Sequence, residues 1–301
     1  TTTTEAPAEE AEAADAPAQE EESSSAPNGV FKLAIFQDPA TQNLFKWYDT
    51  DTDAYSLYQM TGQSVSLFGI SYPNYTLIPS MATELVETST DNGDGTFSYT
   101  VPITEGYEWS DGNPITAEDW VFTYNTAKGL PLLGQWAAVW PSNCEVECVT
   151  NVEAVDAYTV KISFNYDPGL TGWQYGAALA PALSKAYWEQ FATSREDLLA
   201  VSGAEAPVAS AFVSDKIEQG AFYTWSYDPD TMYFGGETTN YANGGVAFTQ
   251  DNGVAPAISG EFGDLSGDSF TYANGPFVGQ VEFSIYNDQD SAYLAFENGD
   301  V

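Results

Sequence analysis

The residues FSYTVPITEGYEWSDGNPITAEDWVFTYN, at positions 97–125, carry a strand signal, a polar turn and a helix signal in succession. Apolar or aromatic residues occupy alternate positions at the start, which predicts a β-strand with one apolar face formed by Phe97, Tyr99, Val101 and Ile103. Thr116 is a natural helix N-cap, and Asp119 stands three residues later as its capping-box partner. Gly129 is placed to end this helix in the left-handed conformation.

Working outward, three further stretches read as strands because β-branched and aromatic residues alternate with polar ones: 30–36, 159–166 and 280–287. Residues 148–155 are expected to pair with 159–166 across a turn at Asp156-Ala157. The same signals predict two more helices. One begins at Thr193, has Glu196 in its first turn and stops at Gly203, and the other spans about 291–298 and stops at Gly299.

Two segments lack a regular pattern. Residues 1–27 are low-complexity Thr, Ala, Pro, Glu and Ser, and they bury too little apolar surface to offset their ordering entropy, so we expect an acidic disordered linker. Residues 235–279 are rich in Gly, Asn, Ser and Asp and are expected to form a long surface excursion.

The charge balance excludes several classes of function. The chain has 44 Asp and Glu, only 7 Lys and Arg, and a net charge of −37. A nucleic-acid binder or an electrostatic anchor on anionic lipid needs clustered bases, and the bases here are scattered singly. The absence of histidine excludes Ser-His-Asp and Cys-His nucleophiles and the usual His-ligated zinc sites, so we predict no cofactor and no metal.

The two cysteines, Cys144 and Cys148, are too far apart for a disulfide in a straight strand. A turn between them would allow a local disulfide, as in an exported protein, and two free thiols in a loop are the alternative. The acidic run at residues 49–53 resembles the start of a calcium loop. It has Ala54 where that loop needs glycine and Met60 where it needs glutamate, which argues against calcium.

The 97–125 segment, with Trp109-Ser110-Asp111-Gly112 before its helix, resembles the signature of family 5 extracellular solute-binding proteins, the peptide/nickel-type receptors of ABC importers. Further matches follow in the family's order at residues 75–87, 152–164, 178–191, 220–229 and 281–301. Two residues depart from its pattern: Ala221 replaces a proline, and Pro102 stands where a basic residue is usual.

The resemblance implies an α/β chain with the periplasmic-binding-protein type II fold, whose two lobes close on a ligand. On that alignment residues 28–286 are the first lobe, with an inserted β-rich subdomain at about 80–215. Residues 287–301 are the start of a second lobe at which the sequence is truncated. The linker at 1–27 would follow an upstream lipid anchor.

The implied function is that of a non-enzymatic receptor on the external face of the cytoplasmic membrane or in the periplasm. It would capture a peptide or similar small solute and deliver it, as a monomer, to ABC permease subunits. Alignment with the family's ligand-facing loops suggests ligand contacts at Gln37, Asp38, Trp47, Tyr48, Trp136, Gln174 and Tyr175. The alternative is a secreted carbohydrate-active or carbohydrate-binding surface protein, in which exposed aromatic residues would stack on sugars.

Overall fold

The computed structural model describes residues 27–51, 53–70, 75, 77–140, 148–231, 235–251 and 257–301. Its strands are β1 (Val30–Ile35), β2 (Phe68–Ile70), β3 (Leu77–Pro79), β4 (Thr90–Asp91), β5 (Phe97–Pro102), β6 (Val149–Asp156), β7 (Thr159–Phe164), β8 (Phe212–Glu218), β9 (Phe222–Tyr227), β10 (Glu237–Tyr241), β11 (Val246–Gln250), β12 (Ile258–Phe262), β13 (Ser269–Ala273) and β14 (Gln280–Ile285).

The α-helices are short apart from two, and they are α1 (Leu44–Asp49), α2 (Ala54–Gln59), α3 (Ala117–Gly129), α4 (Gln135–Val139), α5 (Lys185–Trp188), α6 (Arg195–Ala200) and α7 (Gln289–Asn298). Three single turns of other helix types accompany them, at Leu170–Gln174, Ala177–Leu179 and Glu189–Phe191. Over the described ranges, none of these helices is long and apolar enough to cross a membrane.

One sheet joins the two ends of the described chain. Its strand order is β1-β14-β9-β8, in which β1 and β14 are parallel and the other neighbours are antiparallel. The predicted strands at 30–36 and 280–287 are thus confirmed, and each is the other's neighbour. A small core of aromatic and aliphatic residues covers this sheet, consisting of Ile35, Val208, Tyr223, Trp225 and Phe283.

A second sheet, ordered β4-β5-β7-β6, packs against α3 and forms the main core. Its β6–β7 hairpin confirms the predicted pairing across Asp156. The capping box at the start of α3 is also confirmed, with the Thr116 amide donating to Asp119 Oδ2 at 2.9 Å. The prediction for Gly129 is wrong: it is the last residue of the helix, its φ is not left-handed, and Leu130 follows as the C-cap.

The predicted stop of α6 at Gly203 is also wrong, since the helix ends at Ala200 with Val201 as its C-cap. The N-cap of α6 is Ser194 and its partner is Asp197, so the prediction of Thr193 and Glu196 is one residue too early. A serine hydroxyl caps as well as a threonine hydroxyl, which is why the pattern alone does not separate the two positions. The end of α7 is as predicted, with Gly299 left-handed at φ 78°.

Residues 235–279 are more regular than predicted. They contain the antiparallel sheet β12-β11-β10-β13, and Ser and Thr alternate with aromatic residues in β13. The many glycines and asparagines lie mostly in the connecting turns, for example at Gly244, which has φ 89°. Because the turns contribute so many Gly, Asn and Asp residues, the composition of the whole segment did not predict the strands between them.

Candidate functional site

The carboxyl ends of the two parallel strands meet at one edge of the sheet that contains β1. Ile35 and Ile285 are opposite each other in the register, and the Tyr286 amide donates to the Ile35 carbonyl at 2.8 Å. In open α/β sheets, ligands bind in the crevice outside the carboxyl ends of the strands. This edge is therefore the first candidate for a binding site.

A cavity of about 450 Å³ lies at this edge. It is an open cleft lined by residues 38–42 after β1, by residues 199–202 at the end of α6, and by the β8–β9 hairpin, with Ile285 in its wall. Small-molecule sites typically have volumes of about 300–1,000 Å³. The cavity is large enough for part of a small ligand, such as one or two amino-acid residues.

The loop at 38–42 is held in place before any ligand arrives. The Ser56 hydroxyl accepts hydrogen bonds from the amides of Ala40 at 2.7 Å and Thr41 at 3.0 Å. The Asp38 carboxylate accepts one from the Gly220 amide at 2.8 Å, which ties the loop to the β8–β9 turn. A wall fixed in this way loses little conformational entropy on binding.

Asn43 joins this loop to α6. Its side chain is fully buried, and its amide nitrogen donates to the carbonyls of Leu198 at 2.8 Å and Val201 at 2.9 Å. Gly203 lies against the loop so closely that a Cβ there would be 2.2 Å from the Gln42 carbonyl oxygen. The end of α6 and the loop therefore form one rigid wall of the cavity.

The charges that line the cavity are mostly negative. Asp38 and Glu218 contribute carboxylates, and Lys46 contributes an ammonium group. Lys46 Nζ lies 2.9 Å from Asp51 Oδ2, so its charge is already paired by a neighbour on its own side. This arrangement favours neutral or cationic ligands and repels anionic ones.

The acidic run at residues 49–53 serves packing and capping. Asp49 pairs with Arg195, Asp51 pairs with Lys46, and Asp53 caps α2 by accepting from the Ser56 amide at 2.8 Å. In the part of the chain that the structure describes, no group of three or more His, Cys, Asp or Glu side chains is placed to hold a metal ion.

The sequence of residues 76–301 matches the family model described as bacterial extracellular solute-binding proteins, family 5 Middle. That match covers more than half of the chain. The chain belongs to this family. The resemblance inferred from residues 97–125 is thereby confirmed, and the alternative of a carbohydrate-active surface protein is not supported. A search of curated proteins found no match.

Several solved structures of transport-related binding proteins are similar to this fold. The ABC transporter substrate-binding protein CtaP of Listeria monocytogenes is 20% identical with TM-score 0.57, over 92% of this chain and 44% of that one. AppA of Bacillus subtilis, solved with a nonapeptide, is 16% identical with TM-score 0.57, over 91% and 43%. A periplasmic oligopeptide-binding protein of Thermotoga maritima, solved with mannohexaose, is 18% identical with TM-score 0.58, over 90% and 40%.

These likenesses show that the family 5 chain has the periplasmic-binding-protein type II fold, which confirms the predicted fold class. The chain spans less than half the length of each of the three structures.

Gln37 and Asp38 of this family 5 protein lie in the loop that follows β1. Gln37 is exposed at the sheet edge, and Asp38 lines the cavity. The structure therefore places at least one of the two beside a space that a ligand can enter. Their contact with a ligand stays a prediction.

Trp47, Tyr48 and Trp136 form a separate aromatic group on and beside α1. Tyr48 lies between the two indoles, with ring centroids 4.9 Å from Trp47 and 4.8 Å from Trp136, and burial raises the pKa of its hydroxyl. Trp136 is 1% exposed, and its indole N–H donates to the Phe45 carbonyl at 3.0 Å. That burial gives no support to direct ligand contact by Trp136, which instead packs beneath Tyr48.

Gln174 and Tyr175 form a third group, which shares no lining residue with the cavity at the strand edge. The Gln174 amide and the Tyr175 hydroxyl both donate to the Tyr75 carbonyl, at 2.9 and 3.0 Å. Tyr75 has a left-handed φ of 55°, and these two donors help to hold it there. The structure thus distributes the predicted contacts over three places.

Several cavity residues were missed by sequence reasoning, namely Thr41, Gln42, Lys46, Glu218, Gln219 and Phe222. Glu218 and Gln219 precede Gly220, which has φ 76° and marks the turn between two strands. Reading that turn as a hairpin would have identified the β8 side of the cavity. The other missed residues line the cavity because of which loops lie next to each other in the fold, and the sequence does not show this arrangement.

Cys148 is 4% exposed and is disulfide-bonded. The other cysteine, Cys144, lies outside the described residues, so its pairing with Cys148 stays a prediction.

Proposed function

We propose that this chain is the ligand-capturing part of an extracytoplasmic receptor that delivers a peptide or similar small solute to the permease of an ABC importer. The observation that carries the proposal is the cavity with fixed walls at the carboxyl ends of β1 and β14 in a family 5 fold. The receptor binds and releases its ligand unchanged, so no catalytic residue and no cofactor is assigned.

The ligand we favour is a short peptide with a free amino group. AppA was solved with a nonapeptide and the Thermotoga maritima protein with mannohexaose, so the relatives' names do not decide between peptide and sugar. The carboxylates of Asp38 and Glu218 are the discriminating feature, since they attract an ammonium group and offer little to a neutral sugar beyond hydrogen bonds.

We also propose the division of the chain into a first lobe at 28–286, with its subdomain at about 80–215, and the start of a second lobe at 287–301. Helix α7 supports this, because Tyr293, Leu294 and Phe296 are all more than half exposed on it. Tyr293 and Phe296 are three residues apart and so are neighbours on the helix surface, and an exposed apolar patch of this kind is typical of an interface. Residues 1–26 lie outside the described residues, and the linker at 1–27, with an upstream lipid anchor, belongs to the same proposal.

Isothermal titration calorimetry of the purified protein tests the ligand class. Tripeptides to pentapeptides with free and with acetylated amino termini would be compared with a mannan hexasaccharide and with nickel–EDTA. We expect saturable binding of the free-amine peptides, at least tenfold weaker binding of their acetylated forms, and intact peptide by mass spectrometry afterwards. Tighter binding of the sugar or the chelate contradicts the peptide class, and failure of all three classes contradicts the receptor function.

A further inference from the structure

A second and larger cavity lies away from the strand edge. It has a volume of about 840 Å³ and separates the sheet of β10–β13 from the body of the protein. None of its lining residues lines the cavity at the carboxyl ends of β1 and β14. The two are therefore separate sites, and the larger one plays no part in the function proposed above.

The β10–β13 sheet presents an aromatic face to this cavity. Phe248, Thr238 and Tyr272 are paired across β11, β10 and β13, so their side chains lie on one face. Phe262 and Val246 are paired two residues further along and share that face. The opposite face carries polar residues, including Thr239 and Thr271, whose hydroxyls are 2.8 Å apart.

The facing wall belongs to the body and is also apolar, with Ile78, Met81, Tyr107 and Phe212 among its residues. Tyr107 is 3% exposed, and its hydroxyl donates to Gln250 Oε1, which connects the two walls across the cavity. Burial raises the pKa of Tyr107 to about 12, so this hydroxyl stays neutral over the physiological range. Gly260 leaves room for two of the rings, since a Cβ there would be 2.6 Å from Phe262 and 2.9 Å from Phe248.

Among the described residues, no charged side chain lines the cavity, although the chain contains 44 acidic residues. Its polar groups are hydroxyls and amides, such as those of Thr238, Gln250 and Asn274. An ion in contact with these walls would lose part of its hydration and find no partner of opposite charge among the described lining residues. An uncharged ligand with flat rings would bury apolar area against the aromatic walls at no such cost.

We infer that the cavity between the β10–β13 sheet and the body is a second binding site, which takes an uncharged, ring-containing small molecule. Its volume is within the range of sites for drug-sized ligands. Phe277, which is 72% exposed, stands at its rim and covers one side of the ligand.

A pair of fluorescent probes tests the inference. N-phenyl-1-naphthylamine is uncharged, and 8-anilino-1-naphthalenesulfonate is the same ring system with a sulfonate group. We expect saturable fluorescence enhancement with the uncharged probe and at least tenfold weaker binding of the sulfonate. The preference should persist at 1 M salt, where surface charge is screened over about 3 Å. No saturable binding of the uncharged probe, or equal binding of both at 1 M salt, would overturn the inference.

Three variants locate the probe. Phe248→Ala removes a ring from the wall, and Phe277→Ala removes one from the rim with little risk to folding because this side chain is exposed. Each should weaken binding of the uncharged probe by about fivefold or more, the scale of one lost aromatic contact. Phe296→Ala is the matched control, a 67% exposed phenylalanine on α7 outside the cavity, and should leave binding unchanged.

Unchanged affinity in Phe277→Ala, or an equal loss in Phe296→Ala, would overturn the assignment to this cavity. A saturating peptide bound at the strand edge should not displace the probe. Failure of the second site and failure of the receptor function thus give different results, since the first removes probe binding alone and the second removes peptide binding alone.

Discussion

The guanidinium of Arg195 forms an ion pair with Asp49, whose side chain is fully buried. Arg195 is the only arginine in the sequence. The second oxygen of Asp49 accepts from the Leu133 amide at 2.6 Å, so both oxygens have partners. Because Asp49 ends α1 and Arg195 begins α6, the pair connects two helices that contribute residues to the cavity at the strand edge.

Arg195→Ala should lower the free energy of unfolding by about 2 kcal/mol, because it leaves the buried Asp49 carboxylate without its cation. The value is below that of a fully buried pair since Arg195 is 40% exposed. Urea denaturation measures the change. Lys161→Ala, which breaks the exposed pair with Glu153, is the control and should cost less than about 1 kcal/mol. Equal losses in the two variants would contradict a special role for Asp49.

Asp119 should make stability depend on pH. Burial raises its pKa from 3.8 to about 6, although it accepts from the amides of Lys185 and Thr116. The native state therefore binds this proton more tightly than the unfolded state. The resulting stabilisation is fully present below about pH 4 and is lost as the pH rises to about 6, by up to about 3 kcal/mol.

Comparison with Asp119→Asn isolates this effect from the general repulsion of an acidic chain. The unfolding free energy of the wild type minus that of the variant should fall as the pH rises from about 4 through about 6, and it should level off at higher pH. Asp197→Asn is a control of opposite sign, because hydrogen bonds from Thr193 and Ser194 lower the pKa of the exposed Asp197. Its contribution is lost as the pH falls, and a pH-independent difference for Asp119→Asn would refute the prediction.

Asp38→Asn and Glu218→Gln should weaken binding of peptides that have a free amino group, each by about three- to tenfold, because each removes a carboxylate from the cavity wall. The amide oxygen that Asp38→Asn introduces would still accept the hydrogen bond from the Gly220 amide, so the loop should keep its position. Acetylated peptides should lose little affinity. Glu297→Gln, on exposed α7, is the charge-matched control and should leave peptide affinity unchanged in calorimetry. If it weakens peptide binding as much as the two cavity variants do, the effect comes from net charge at long range and the prediction is wrong.

Gly203→Ala should destabilise the protein and disturb the cavity together. Its φ is 74°, and the added Cβ would lie 2.2 Å from the Gln42 carbonyl oxygen and 2.7 Å from Asn43 Cα. We expect a loss of about 2 kcal/mol or more and weaker ligand binding. Gly106→Ala is the control: its φ is 91°, and a Cβ meets nothing within 4 Å, so only about 1–2 kcal/mol of backbone strain is expected. Thermal melting and calorimetry distinguish the two.

The sequence predicted correctly those strands, caps and helix ends that depend on residues close together in the chain. The alternation in β5 and β7, the capping box at Thr116 and the stop at Gly299 each depend on residues a few positions apart. The short strands β10–β13 were missed because each has only five residues and the turns between them are rich in Gly, Asn and Asp, so the segment as a whole has the composition of a loop.

The residues of the candidate site divide in the same way, into those that nearby sequence predicts and those that distant strand pairing brings to the cavity. Asp38 was predicted from its place after the first strand, whereas Glu218 and Gln42 line the cavity only because β1 lies beside β14, which the sequence does not reveal. Trp136 was predicted as a ligand contact from the alignment with the family's ligand-facing loops. The five-residue helix α4 nevertheless buries it, with its N–H satisfied by the Phe45 carbonyl.

The parallel pairing of β1 with β14 also sets the order in which the protein can be made. Val30 pairs with Gln280, a separation of 280 − 30 = 250 residues. At about 5–20 residues per second, a ribosome needs on the order of 10–50 s to supply that partner, and β1 has no parallel neighbour until then. Non-local pairing of this kind also slows folding itself. The chain therefore spends most of its synthesis with this sheet incomplete.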